Sequence, residues 1–132
     1  MEEKDYINII NLSKSFGNIK ALDNINLSIN NGELLTILGP SGCGKTTLLK
    51  IIAGLEKPDT GDIFIDGFRI NDVPPYKRNI GMVFQDLALF PHLNVIENIA
   101  FGLKIKKLQE NEIKEKVSKI LELVKLPIEE YG

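Results

Sequence analysis

Apolar and polar positions alternate in two stretches near the start of the chain. Residues 6–12 form the first, and residues 24–30 (NINLSIN) place Ile25, Leu27 and Ile29 on one face. A period of two is that of a half-buried strand, so the pair predicts an antiparallel layer. Residues 34–38, LLTIL, are instead almost continuously apolar, the pattern of a strand covered on both faces in a parallel sheet. IGMVF at 80–84 is a second run of that kind. Between them, Lys45 to Ala53 carries Leu48, Leu49, Ile51 and Ile52 and ends before Gly54, which predicts a short helix with a glycine stop. IFIDGFRI sets Asp66-Gly67 between two apolar segments, a hairpin signal, and Pro74-Pro75 marks a loop. Asn94 with Glu97 forms a capping-box start for a helix near 95–103. The last helix carries Ile113, Val117, Ile120, Leu121 and Val124 on one face. Glu112–Lys116 and Glu115–Lys119 stand four apart on the other.

Where the continuous apolar run meets the first helix, the chain reads GPSGCGKTT. Gly39, Gly44, Lys45 and Thr46 satisfy G-x-x-x-x-G-K-[ST] in full. The chemistry explains the residue types. Backbone N–H groups must curl around an anion, and side chains would block both the curl and the approach. Lys45 supplies a point charge to the outer phosphates, the Thr46 hydroxyl can ligate Mg²⁺, and the helix directs its positive end at the anion. Ser41, Gly42, Cys43 and Thr47 complete the candidate ATP contacts. The setting between a strand pattern and a helix pattern sharpens a motif that a random chain of this length would match on the order of once in a few hundred.

Composition narrows the class. With 132 residues there is room for one domain and one site. A net charge of −2 supplies no basic stripe, so nucleic acid is not an expected partner. The acidic, polar start MEEKDYIN is no secretory leader, and the chain contains no run of about eighteen apolar residues, so a cytoplasmic, soluble protein is expected. A single cysteine, Cys43, excludes an internal disulfide, and a single histidine argues against structural zinc.

Taken together, these stretches resemble the nucleotide-binding subunits of ABC transporters over essentially the whole chain. LSKSFGNIKALDNINLSINNGE is similar to the family's opening, which implies that Phe16, ahead of Ala21-Leu22, stacks on adenine. NIGMVFQD resembles the family's Q-loop and implies that Gln85 reaches Mg²⁺ or the attacking water. PPYKRNIGMVFQDLALFPHLNVIENIAFGLK looks most like the import branch that serves polyamines, iron(III), sulfate, molybdate or sugars. The implied fold is α/β: a P-loop NTPase core with an N-terminal antiparallel layer over residues 1–85, and the start of a helical subdomain over 86–132. The implied cofactors are ATP and Mg²⁺. The implied partners are a membrane permease, a second ATP-binding subunit and, indirectly, a substrate-binding protein. The subunit would sit peripherally at the inner face of the cell membrane.

Hydrolysis requires an aligned water and stabilisation of the transferred group. The family supplies these with an apolar strand ending in Asp-Glu, a Ser-Gly-Gly-Gln signature, an Asp-containing loop and a switch histidine. None follows Gln85 in these 132 residues. Asp66 sits in a hairpin, Asp86 in the Q-loop, and Glu97 is a helix cap. His92 falls well before the place of the switch histidine. The chain therefore reads as the N-terminal half of an importer ATPase that binds MgATP without turnover by itself, its two apolar runs lacking sheet neighbours. A standalone non-hydrolysing nucleotide-binding remnant, or a regulator of a permease, is the alternative. A P-loop kinase or GTPase fits less well, because a Walker-B aspartate and a guanine-reading motif are both missing.

Overall fold

A computed structural model of the chain describes residues 5–86 and 88–126, which divide into two compact units at Met82/Val83. The first unit holds a four-stranded antiparallel sheet. Strand β1 (Ile7–Phe16) pairs with β2 (Ile19–Ile29) in a register from Ile7 opposite Ile29 to Phe16 opposite Ile19. On its other edge β1 pairs with β3 (Thr60–Ile65), which turns through Asp66-Gly67 into the short β4 (Phe68–Arg69), giving the order β2-β1-β3-β4. The alternating stretches thus form strands, longer than the pattern indicated, and Ile25, Leu27 and Ile29 share the half-buried face.

Helix α1 (Lys45–Ala53) presses Leu48 and Ile51 into a core with Ile9, Leu12, Leu22, Ile63 and Ile70. Its end is a Schellman turn, in which Gly54 N–H donates to Ile51 O at 3.1 Å and Leu55 N–H to Lys50 O at 2.9 Å. Gly54 has φ 82, the left-handed conformation that this cap demands.

LLTIL and IGMVF are not strands in this structure. Both run without ladder partners among the described residues, and Leu34, Leu38 and Val83 are 93%, 86% and 97% exposed. A strand is defined by the neighbour that shares its backbone hydrogen bonds, and an apolar sequence without that neighbour stays extended and open. Only Ile37 reaches the core of the first unit.

The second unit packs α2 (Val95–Ile105) against α3 (Glu110–Leu123) around Ala100, Val117 and Leu121. The capping box at α2 forms as the sequence indicates: Glu97 N–H donates to Asn94 Oδ1 at 2.8 Å and Asn94 N–H to Glu97 Oε2 at 3.1 Å. On α3 the expected surface pairs divide. Lys119 Nζ meets Glu115 Oε1 at 2.6 Å, but Glu112 turns back to accept the Gln109 N–H at 3.2 Å, so Glu112 caps the helix where a pair with Lys116 was expected. The buried stripe is also narrower than its periodicity, since Ile120 and Val124 remain exposed.

Candidate functional site: a glycine loop at the head of a helix

Gly39 to Gly44 form the loop between the open apolar segment and α1. Gly44, at φ 91, is the residue from which the helix starts, and it is buried. A Cβ there would stand 2.2 Å from Ala21 O and 3.0 Å from Leu22 Cδ2, so only glycine lets the loop rest on β2. At Gly39 a Cβ would stand 2.6 Å from Cys43 Sγ, a contact with a side chain that can shift. The loop is closed by Cys43 N–H to Pro40 O at 3.4 Å, and the helix by Leu48 N–H to Gly44 O at 2.9 Å. The amides ahead of Leu48 belong to the first turn, which a helix leaves without intrahelical partners.

Lys45 opens α1 and folds back over the loop. Its ammonium donates to Gly39 O and Pro40 O, both at 2.7 Å, and lies 3.3 Å from Cys43 Sγ. The cation therefore stands across the mouth of the glycine loop, half-buried. Ser41, Gly42, Cys43 and Thr46 are exposed, and Thr47 is half-buried on the following position. No side chain caps the N-terminus of α1. The structure thus brings Gly39, Ser41, Gly42, Cys43, Gly44, Lys45, Thr46 and Thr47 into one open segment that combines an ammonium, three hydroxyls and a helix N-terminus.

Phe16 ends β1 and is 47% exposed, and Lys14 Nζ stands 5.2 Å from its ring centroid. Its strand partner Ile19 lies two residues before Ala21, the residue on which Gly44 rests. Lys14 is held there by Glu56 at 2.9 Å and Asp59 at 3.3 Å. The Glu56 partner, foremost, raises the lysine's pKa. Asp59 also accepts the Ser15 N–H at 2.7 Å, and that bond, ahead of Lys14, holds its carboxyl below the usual range. Gln85 belongs to the second unit, on an exposed bend. His92 is exposed in the same unit, its ring edge-on to Phe90 at 6.0 Å between centroids.

Sequence reasoning missed two residues whose partners are backbone carbonyls. Asn98 accepts from Phe90 N–H at 2.9 Å and donates to the carbonyls of Phe90, Leu93 and Asn94, which fastens the loop in front of α2. Arg78 donates from Nε to Val73 O at 2.7 Å, from Nη1 to Ile51 O at 2.8 Å and Ile52 O at 2.9 Å, and from Nη2 to Asn71 O at 3.3 Å. Neither has a periodic signal. The position of Arg78 in a Pro-rich loop gives no hint of carbonyls 26 and 27 residues earlier.

Comparison with known proteins gives a consistent set of relatives. The pattern of the family described as ABC transporter matches residues 22–130. The spermidine/putrescine import ATP-binding protein of Acetivibrio thermocellus is 56% identical over 126 residues, covering 96% of this chain and 36% of that protein. Its counterpart in Desulfitobacterium hafniense is 54% identical over 123 residues, covering 93% of this chain and 35% of the relative. Among solved structures, the ATP-binding cassette MJ0796, a dimer in a post-hydrolysis state bound to ADP and Pi, superposes with a TM-score of 0.80 at 34% identity. That match covers 93% of this chain and 59% of the cassette. The chain thus spans about a third of the length of the curated relatives it matches.

Proposed function

Since the chain belongs to the ABC transporter family, we propose that it is the nucleotide-cradle part of an import ATP-binding subunit, binding MgATP to energise solute uptake through a membrane permease. One observation carries this reading: the glycine loop is seated on β2 through Gly44, with Lys45 poised over its mouth at the head of α1. The names of the import relatives support it.

The residues fit a nucleotide polyphosphate and its cation. The Gly44 contact fixes a cradle whose backbone lies open, and the donor set consists of one ammonium, the N–H groups of a first helical turn and hydroxyls suited to a hard cation. In this reading Lys45 faces the outer phosphates, Ser41 to Gly44 offer backbone amides, Thr46 holds Mg²⁺ and Thr47 supports a neighbouring phosphate. Phe16 presents its exposed ring to adenine, and Gln85 addresses Mg²⁺ or the water. Bound Mg²⁺ neutralises phosphate charge. In this reading the chain's own part is to bind and position the nucleotide and its cation.

The subunit would work as one of a pair beside a permease at the inner face of the membrane, fed by a substrate-binding protein. Its organisation would be a core over residues 1–85 and the start of a helical subdomain over 86–132. No helix among the described residues is long and apolar enough to cross a membrane.

Thermal unfolding with and without excess MgATP tests this reading, because a ligand that binds only the folded state raises its stability. The parent chain is expected to shift upward, and Lys45→Ala to lose about ten- to a hundredfold in affinity with the charge-assisted contact. Equal binding by the variant would sink the site.

A further inference from the structure

The far end of α1 is held as firmly as its head. Two carbonyls in its last turn, Ile51 O and Ile52 O, accept from Arg78 Nη1, while the same guanidinium reaches Val73 O and Asn71 O. Gly54 leaves room for this, since a Cβ there would stand 2.6 Å from Arg78 Nε and 2.8 Å from Cζ. Arg78 is partly buried, and desolvation lowers its pKa. The four carbonyls compensate that burial without a carboxylate, and the charge stands at the negative end of the helix dipole. Ile51 O also takes the Gly54 N–H, whereas Ile52 O has only Arg78 among the described residues.

We propose that Arg78 is a positioning residue for the phosphate end of α1, setting from the rear how the helix seats the glycine loop. The inference rests on the reading of that loop as the nucleotide site. Nine residues make a rod about 13 Å long, too short to absorb an axial shift by bending. Its front is fixed by Gly44 against Ala21 O, where even one extra carbon does not fit, and its flank by Leu48 and Ile51 in the core. Leu48 and Ile51 set the rotation of the helix about its axis. Arg78 sets its position along that axis, because two of its bonds run to the helix and two to the 71–73 loop. Slippage at the rear is then felt at the front as a change in the Gly44 seat and in the place from which Lys45 and Thr46 project. Arginine is required because a lysine ammonium lacks the planar fork that spans separated carbonyls.

Two measurements on the 132-residue chain test this. In hydrogen exchange without nucleotide, Arg78→Met is expected to deprotect the amides of Leu48 and Leu49 as well as residues 50–55 and 71–78, while Arg78→Lys restores part of the protection. Ile63→Val serves as the control for general destabilisation and is expected to leave the front of α1 unchanged relative to the strands. Deprotection confined to residues 50–55 and 71–78 would overturn the proposal. In the second measurement, well below the unfolding temperature, Arg78→Met is expected to weaken MgATP binding roughly threefold to tenfold. Combined with Lys45→Ala the losses are expected to be less than additive, because both act on the same phosphate contact. Strict additivity, or unchanged affinity, would reduce Arg78 to a structural cap. If the parent itself does not bind MgATP, the nucleotide reading fails, and the exchange experiment still decides whether Arg78 governs the front of the helix.

Discussion

Helices α1 and α2 begin in opposite ways. At α2 the chain satisfies its own first turn, with Asn94 and Glu97 exchanging side-chain and backbone bonds and Asn98 fastening the loop ahead. At α1 the position of the cap is held by Gly44 in a left-handed conformation, with no side chain to offer. A cap is worth about 1 kcal/mol, so leaving it out of a helix that organises the core has a definite cost. The contrast separates two uses of a helix N-terminus. One is closed by the chain for stability, and the other is kept open and stabilised from behind by Arg78.

Three changes would break or sharpen that contrast. Gly44→Ala has the largest expected effect, because it combines a strained φ with a collision on Ala21 O. A loss of about 3 kcal/mol in chemical denaturation is expected, together with loss of any upward thermal shift by MgATP. A variant as stable as the parent would show that the loop does not need its seat on β2. Asn94→Ala is expected to destabilise the second unit by about 1 kcal/mol, read from the exchange of α2 amides, while leaving nucleotide binding intact. An altered MgATP affinity in that variant would erase the division between a structural and a ligand-directed helix start.

The smallest effect concerns pH. Asp59 and Glu56 have lowered pKa values in the folded chain, so they bind fewer protons than in the unfolded chain near their ordinary pKa of about 4. Their stabilisation is complete above that range and is lost as pH falls through the lowered values. Lys14, with a raised pKa, contributes below its ordinary value of about 10.4 and loses that contribution as pH rises above it. A shallower acid limb in the Tm profile of Asp59→Asn than in the parent is the expected result. Identical limbs would mean that the exposed cluster around Lys14 contributes nothing measurable.

Local features of the sequence proved readable and distant ones did not. The span of α1, the Asp66-Gly67 turn and the Asn94–Glu97 box are each set within a few residues, where composition and spacing carry the physics. The family likeness was equally visible, since GPSGCGKTT and NIGMVFQD are contiguous. LLTIL and IGMVF misled as strands because hydrophobicity states what a segment wants to cover and says nothing of which neighbour does so. Glu112 shows the same limit at short range: a lysine four residues on and a backbone amide three residues back compete for it, and the amide wins. The contact of Gly44 with Ala21 joins residues 23 apart, and nothing in either stretch announces it.

The posture of Lys45 has a bearing on speed. Its ammonium is already engaged by Gly39 O and Pro40 O at 2.7 Å, so an arriving phosphate enters an exchange of acceptors instead of meeting a free cation. What the lysine contributes to affinity is the difference between phosphate oxygens and two amide carbonyls. How quickly it contributes depends on how often the side chain lets go.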